Sequence, residues 1–444
     1  MELLDLATQV LSWSKDKDEE VEVYLSRNRS TRIEVSDLEV ESSNLSSSEG
    51  MGIRCLKGGR SGFAYTTVLT PQAAEQALAE ARESSRYADR DSARTLPEPQ
   101  GESQVQLASD PASLALPMEE KIEFARRIER AARARDSRIR KVRQAQYSDT
   151  SYELAVANSK GLAVCHNGTF FTSSILAVAE EAGKAELGWS YHFARELAEL
   201  NLEPVGAEAA QRAVALLGAQ RAQSARVPVV FDPMVAAEFL SAFVSAFSAE
   251  SVQKGKSLYS ELLGQQVASP LLTLVDDGTY PAGIGTAPVD DEGVPMQRTA
   301  VIEDGKLASF LYDTYTAQKE GKKSTGNALR NSFRSTPSPG PTNLFIEPGE
   351  QLPEQLLGEI KRGLYVTDVM GMHTANSISG DFSVGASGLW IENGALARPV
   401  RSIAIAGNWR DLLTGITAVG TDLRWVGGIG APTICVGEMS LSGD

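Results

Sequence analysis

The sequence predicts an α+β fold in two halves, an N-terminal antiparallel sheet with helices and then a β-rich C-terminal domain holding one buried helix. Three observations carry this. Stretches between Val21 and Ala182 alternate apolar and polar side chains, the period of a half-buried strand. Pro233 to Ser248 is apolar nearly all round, which marks a helix buried on most sides. Beyond it the chain is punctuated by acidic-Gly turns, the signal of hairpins. At 444 residues the chain has room for two or three domains, and 42% apolar with 23% charged residues is an ordinary globular composition. The reading divides it into residues 1–116 (N-terminal α/β domain), 117–222 (a central helix and antiparallel meander continuous with the first part) and 223–444 (β-rich domain).

In order along the chain, Met1 to Lys15 carries Glu2 and Asp5 and no basic start, so it reads as an amphipathic helix rather than a secretion signal. Val21–Leu25 and Thr31–Val35 alternate as strands, and Lys57-Gly58-Gly59 is the turn into Ser61–Tyr65. Thr70-Pro71 opens a helix to about Tyr87, with Thr as cap and Pro in the first helical position. Asp89 to Pro117 lacks a period and reads as a surface connection. From Pro117 a second helix follows, with Met118, Ile122, Ala125, Ile128 and Ala132 on one face. Gln144–Tyr147, Ser151–Ala157 and Ala163–Ala182 form the meander, with Asn158–Gly161 as a turn. A helix over Ala207–Leu217 is expected between Gly206 and Gly218. After a boundary near Arg221–Arg226, Val227–Phe231 is a buried strand, and Pro233 opens the apolar helix to about Ser248. Hairpin turns are expected at Asp276-Asp277-Gly278, Asp291-Glu292-Gly293, Glu303-Asp304-Gly305 and Glu392-Asn393-Gly394.

The bulk chemistry excludes several classes. Net charge is −15, the wrong sign for a grip on phosphates. The basic run from Arg126 to Arg143 is diluted by Glu129 and Asp136 and reads as a solvated helix face. No apolar run reaches the ~18 residues a membrane span requires. Cys55, Cys165 and Cys435 are odd in number and widely spaced, so they read as buried small residues in a reducing, cytoplasmic setting. Asp290, Asp291 and Glu292 lack the alternate spacing of a calcium loop and read as a solvated turn. Gly283-Ile284-Gly285 lacks the third glycine of a dinucleotide site, and His373, Asp381 and Ser383 lie too close together in sequence for a hydrolase triad.

The blocks Gly52-Ile53-Arg54, Arg60–Tyr65, Ala157–Leu162, Val275–Thr279, Asp290–Gly293, Gly326-Asn327, Thr342-Asn343, Gly380–Gly394 and Ile405–Asn408 together resemble, in order and spacing, the TldD/PmbA family of metallopeptidases. The resemblance implies an HExxxH motif on a helix in active members, with two imidazoles on zinc and the Glu as general base, and a Cys near the metal. Here the matching register puts Ser241 and Ala246 where the His pair belongs and Ala242 where the Glu belongs, and no His lies between His192 and His373. Cys435 sits in an apolar strand and reads as core. The expectation is therefore a PmbA/TldE-like chain that binds no zinc and is inactive alone. It would pair as a heterodimer with a TldD-like catalytic subunit that carries the zinc, a homodimer being the form without that partner. The resemblance also implies that Gly371–Ser383 lines a channel for an extended peptide, with His373, Asn376, Asp381 and Ser383 as binding residues. The competing reading of those residues is turn capping. The alternative function is a regulatory protein of the "modulator of DNA gyrase" kind, acting through a protein partner and not through nucleic acid.

Overall fold

Long antiparallel strands account for the first half of the chain. The computed structural model describes residues 2–443 apart from 15, 17, 102 and 104. Helix α1 (Leu3–Ser12) buries Leu3, Leu6, Ala7 and Val10 and leads into β1 (Glu19–Ser36), β2 (Glu39–Lys57) and β3 (Arg60–Thr66). The two alternating stretches expected around Val21 and Val35 are one strand. The polar middle stays extended because β1 is paired on both sides, and Arg27 bridges Glu49 on one neighbour and Glu153 on the other at 2.9 and 3.1 Å. Helix α2 (Pro71–Tyr87) begins where its cap predicts, the Thr70 hydroxyl accepting from the Ala73 N–H. A single turn, α3 (Pro111–Leu114), interrupts the following connection. Then come α4 (Met118–Arg135), β4 (Ile139–Asn158), β5 (Ala163–Glu181), β6 (Lys184–Ala194) and α5 (Glu203–Ala215). The six strands form one antiparallel sheet in the order β3-β2-β1-β4-β5-β6.

Helix α5 starts before Gly206, which the sequence reading had placed as its entrance. The glycine is inside the helix for a packing reason, since a Cβ there would lie 2.2 Å from the Ile128 carbonyl oxygen of α4. The basic face of α4 is engaged by neighbours, with Arg126 donating to the Leu38 carbonyl and Arg133 to Glu129.

In the second half, β7 (Gln220–Arg221) and β8 (Ala225–Phe231) precede α6 (Pro233–Phe243). The apolar helix stops at Phe243, not near Ser248, and a 3-10 turn, Val244–Phe247, follows. The tightening lets successive aromatics dock on different partners: Phe243 stacks on Trp409 at 4.8 Å and Phe247 on Tyr259 at 4.8 Å. Strand β8 is central in a seven-stranded sheet, parallel to Arg362–Met370 on one side and antiparallel to Ile434–Ser442 on the other. A six-stranded sheet runs from Lys306–Leu307 at one edge to Arg424–Val426 at the other. Helix α6 shares one apolar core with these strands.

Two of the expected hairpins form: Asp304-Gly305 has φ of 47° and 77°, and Asn393-Gly394 has 51° and 82°. The other two acidic turns are not solvated turns. Asp276 is buried, accepting from the Thr342 N–H and from Asn327. Asp290 is fully buried because its carboxylate accepts backbone N–H groups of Glu292, Val294 and Ala328. Glu292 is fully buried against Arg54 of β2, at 2.6 Å. The expectation of three buried cysteines is also corrected, since Cys165 is exposed on β5. Arg54 reaches Glu22 of β1 at 2.7 Å as well, and Arg330 of the second half also binds Glu22, so a buried ionic cluster joins the two halves.

Candidate functional site: the cleft beside the apolar helix

Helix α6 is held from both ends of its surroundings. Asp232 caps it, accepting from the Met234 N–H at 3.0 Å, and Pro233 occupies the first helical position without needing a donor. The same carboxylate binds Arg212 of α5 at 2.9 and 3.1 Å and accepts from the Tyr365 hydroxyl at 2.9 Å. The inner face of the helix is aromatic, with Phe239 meeting Phe231 and Phe382, each at 5.1 Å. Met234, Glu238 and Ser241, spaced four and three apart, point the other way.

That outer face borders a cleft of about 250 Å³. Its opposite wall is Leu187, Gly188 and Trp189 of β6, and Thr367, Asp368 and Val426 complete it. A second cleft of about 410 Å³ follows along β6, where Tyr191, His192 and Phe193 face Leu423, Arg424 and Trp425. Consecutive residues line both clefts, so the strands present their edges there. Both β6 and Arg424–Val426 are the outermost strands of their sheets.

The degenerate motif positions separate in space. Ser241 is exposed at the cleft, Ala242 is half-buried and Ala246 is fully buried in the core. Two alanines offer no donor atom and the lone hydroxyl does not make a zinc site, so these residues do not fit the metal. Among the described residues no group of three His, Cys, Asp or Glu side chains is arranged to hold a metal ion. The histidines lie on different elements. His166 on β5 is stacked edge-on to Tyr152 at 6.0 Å, and burial, with the Arg195 charge, pushes it down to about 4. His192 on β6 accepts from the Asn201 N–H, and His373 is exposed on the turn Met372–Thr374. Cys435 is buried in its strand, and burial pushes its thiol up to about 12.

In the Gly371–Ser383 segment the polar side chains are engaged locally. The Asn376 carboxamide oxygen accepts from the Ile378 and Ser379 N–H groups, and Asp381 accepts from Asn408 at 3.0 Å and Ser379 at 2.8 Å. The Asn408 and Ser379 hydrogen bonds hold the Asp381 carboxyl below the usual range. Ser383 is exposed on the strand Asp381–Glu392.

Sequence reasoning missed the cleft because its walls come from separated segments. One signal was legible: Glu238 is the single charged residue in Pro233–Phe243.

The comparisons agree along the whole chain. Models of the PmbA/TldA metallopeptidase domain 1, central domain and C-terminal domain match residues 21–85, 111–217 and 224–443. The metalloprotease PmbA of Escherichia coli O157:H7 is 30% identical over 449 residues, covering 99% of this chain and 96% of that protein. This chain belongs to the TldD/PmbA metallopeptidase family. A metalloprotease TldD homolog of Haemophilus influenzae is 28% identical over 423 residues, spanning 89% of this chain and 86% of that one. Among solved structures, a Thermotoga maritima protein described as a candidate modulator of a DNA gyrase superposes with TM-score 0.91 at 31% identity over 99% of both chains. TldE from Thermococcus kodakarensis superposes with TM-score 0.90 at 25% identity, again over 99% of both. The α+β architecture is that of this family.

Proposed function

We propose that this chain is the non-catalytic subunit of a TldD/PmbA-type metallopeptidase, presenting unfolded peptide to a TldD-like partner that carries the zinc. The observation that carries this reading is the chemistry of α6 and the turn after it: Ser241 on the helix and Ala246 in the turn stand where the resemblance puts a zinc-binding pair, and Ala242 where it puts the base. The clefts between β6 and Arg424–Val426 support a role in holding an extended chain, because unpaired strand edges offer backbone donors and acceptors. The Gly371–Ser383 segment belongs to the same proposal as a surface met through its backbone, with His373 and Ser383 exposed beside it. The cytoplasm is the proposed compartment; no helix among the described residues is long and apolar enough to cross a membrane.

The test has two arms. Metal analysis of the purified chain by mass spectrometry is expected to find no stoichiometric zinc. Fluorogenic peptides are expected to be cleaved by a mixture with the HExxxH-bearing partner and not by this chain alone, since loss of a general base alone costs ~10²–10⁴ in rate. Chelator-sensitive turnover by this chain by itself would overturn the reading. A partner that cleaves equally well without it would favour the regulatory alternative.

A further inference from the structure

The cleft beside α6 is lined by two acids and one cation, a net negative charge. Glu238 and Asp368 line it, and neither has a hydrogen bond or ion pair among the described residues. The lining cation, Arg212, is committed elsewhere, to Asp232 at 2.9 Å and Glu208 at 3.3 Å. Both acids are exposed at the cleft; partial desolvation there pushes their carboxyls up, the Asp368 charge adds to the effect on Glu238, and the Arg212 charge opposes it on Asp368. Most of the remaining wall is apolar, with Leu187, Trp189, Leu216, Met234 and Val426, and Ser241 and Thr367 add two hydroxyls. A small concave site with apolar walls and a few convergent polar groups is the general form of a ligand site. Its chemistry calls for an apolar stem ending in a positive charge. A metal ion fits poorly, because the carboxylates lack the further ligands that a divalent cation requires. A lysine side chain matches both features, its methylenes covering apolar surface while the ammonium meets the acids.

We propose that this cleft is a cation-selecting subsite that takes a lysine side chain of the bound peptide, the stem against Trp189, Met234 and Val426 and the ammonium at Glu238 and Asp368. The proposal rests on the reading of the chain as a peptide-handling subunit and names what one part of its groove selects.

The experiment uses the full chain at pH 8 and two kinds of probe. Ligand-observed NMR compares n-butylamine with n-butanol, which share the stem and differ in charge. Fluorescence anisotropy compares two labelled extended peptides differing only in a central lysine or norleucine. The amine is expected to bind and the alcohol not, and the lysine peptide is expected to bind about tenfold more tightly. In the Glu238→Gln/Asp368→Asn double variant both preferences should vanish, while affinity for the norleucine peptide and the melting temperature stay as they were. Equal binding of amine and alcohol, or a preference that survives in the double variant, overturns the subsite. Equal affinity for the two peptides overturns lysine as the occupant while leaving peptide handling intact. A selected amine with no binding of either peptide leaves the cation site standing and overturns the peptide reading beneath it.

Discussion

At the scale of single residues, burial decides what each change does. Asp232 caps α6, pairs with Arg212 and accepts from Tyr365, and only 6% of it is exposed. Replacing it by Ala removes a cap and leaves a largely buried guanidinium without its main partner. The expected loss is about 3–5 kcal/mol, read from urea unfolding midpoints. The two positions proposed to align with the family's histidine pair should respond differently when changed to His. Ser241 is exposed, so Ser241→His is expected to change stability by less than about 0.5 kcal/mol. Ala246 is fully buried in the aromatic core, so Ala246→His should cost about 1–3 kcal/mol or more through overpacking and an unpaired ring nitrogen. Melting curves of the two variants separate these outcomes.

Elements meet through small residues and turn-locked side chains. Gly206 lies within α5, where helix propensity by itself favours alanine by about 1 kcal/mol. A Cβ there meets the Ile128 carbonyl at 2.2 Å, which backbone cannot yield without separating α4 from α5. Gly206→Ala is therefore expected to destabilise by about 1–3 kcal/mol, and a gain in melting temperature would contradict the packing account. The Gly371–Ser383 segment makes the opposite kind of case. Asn376 and Asp381 are tied into the turn, so changing both to Ala should lower the melting temperature. If peptide capture by the complex is unchanged in that variant while the melting temperature falls, the side chains are turn caps and only the backbone remains to contact peptide.

For the whole molecule, the buried ionic cluster is the joint between the halves. Arg54 faces Glu22 and Glu292, and Arg330 faces Glu22 while lying 4.7 Å from the Tyr24 ring. Arg54→Leu leaves two buried carboxylates short of a partner, with an expected cost of about 3–5 kcal/mol. Buried titratable groups in and beyond this cluster make stability depend on pH, and the sign follows from the direction of each shift. Burial pushes Asp276 and Asp291 up to about 6, above the ~3.9 of an unfolded chain. The native state therefore takes up protons first, and these two groups add stability as pH falls from above 6 toward 4. Burial opposes ionisation of Glu292, but the Arg54 guanidinium outweighs it and holds the carboxyl below its ordinary value. Its contribution is present above the unfolded value and is lost as pH falls through the folded one. His166 works against Asp276 and Asp291 in the same window, because its folded value of about 4 lies below the ~6.5 of an unfolded chain and its contribution is lost as pH falls. The two raised carboxyls outnumber it, so unfolding midpoints at pH 7.5, 6 and 5 should rise on mild acidification before falling in stronger acid. A monotonic fall from pH 7.5 would show that groups with lowered values dominate throughout.

Local pattern and local chemistry were enough to place much of this protein. The Thr70-Pro71 helix start, the Ala125, Ile128 and Ala132 part of the α4 face, the Asn393-Gly394 hairpin and the buried strand-helix unit at Val227–Phe243 follow from period, capping and turn chemistry within a few residues, whereas Met118, expected on that face, is exposed. Tertiary structure decided what depends on distant partners. Asp290 and Glu292 read as a solvated turn until backbone donors of Ala328 and the Arg54 guanidinium, far away in sequence, come to meet them. Gly206 read as a helix boundary until α4 lies across it, and β8 pairs in parallel with a strand more than a hundred residues later. The cleft walled by Leu187, Glu238, Asp368 and Val426 exists only once β6, α6 and two further strands converge. The physical reason is range: hydrogen-bonding period and caps act between near neighbours, whereas burial, which sets a carboxylate's partners and a cavity's shape, is a property of the packed chain.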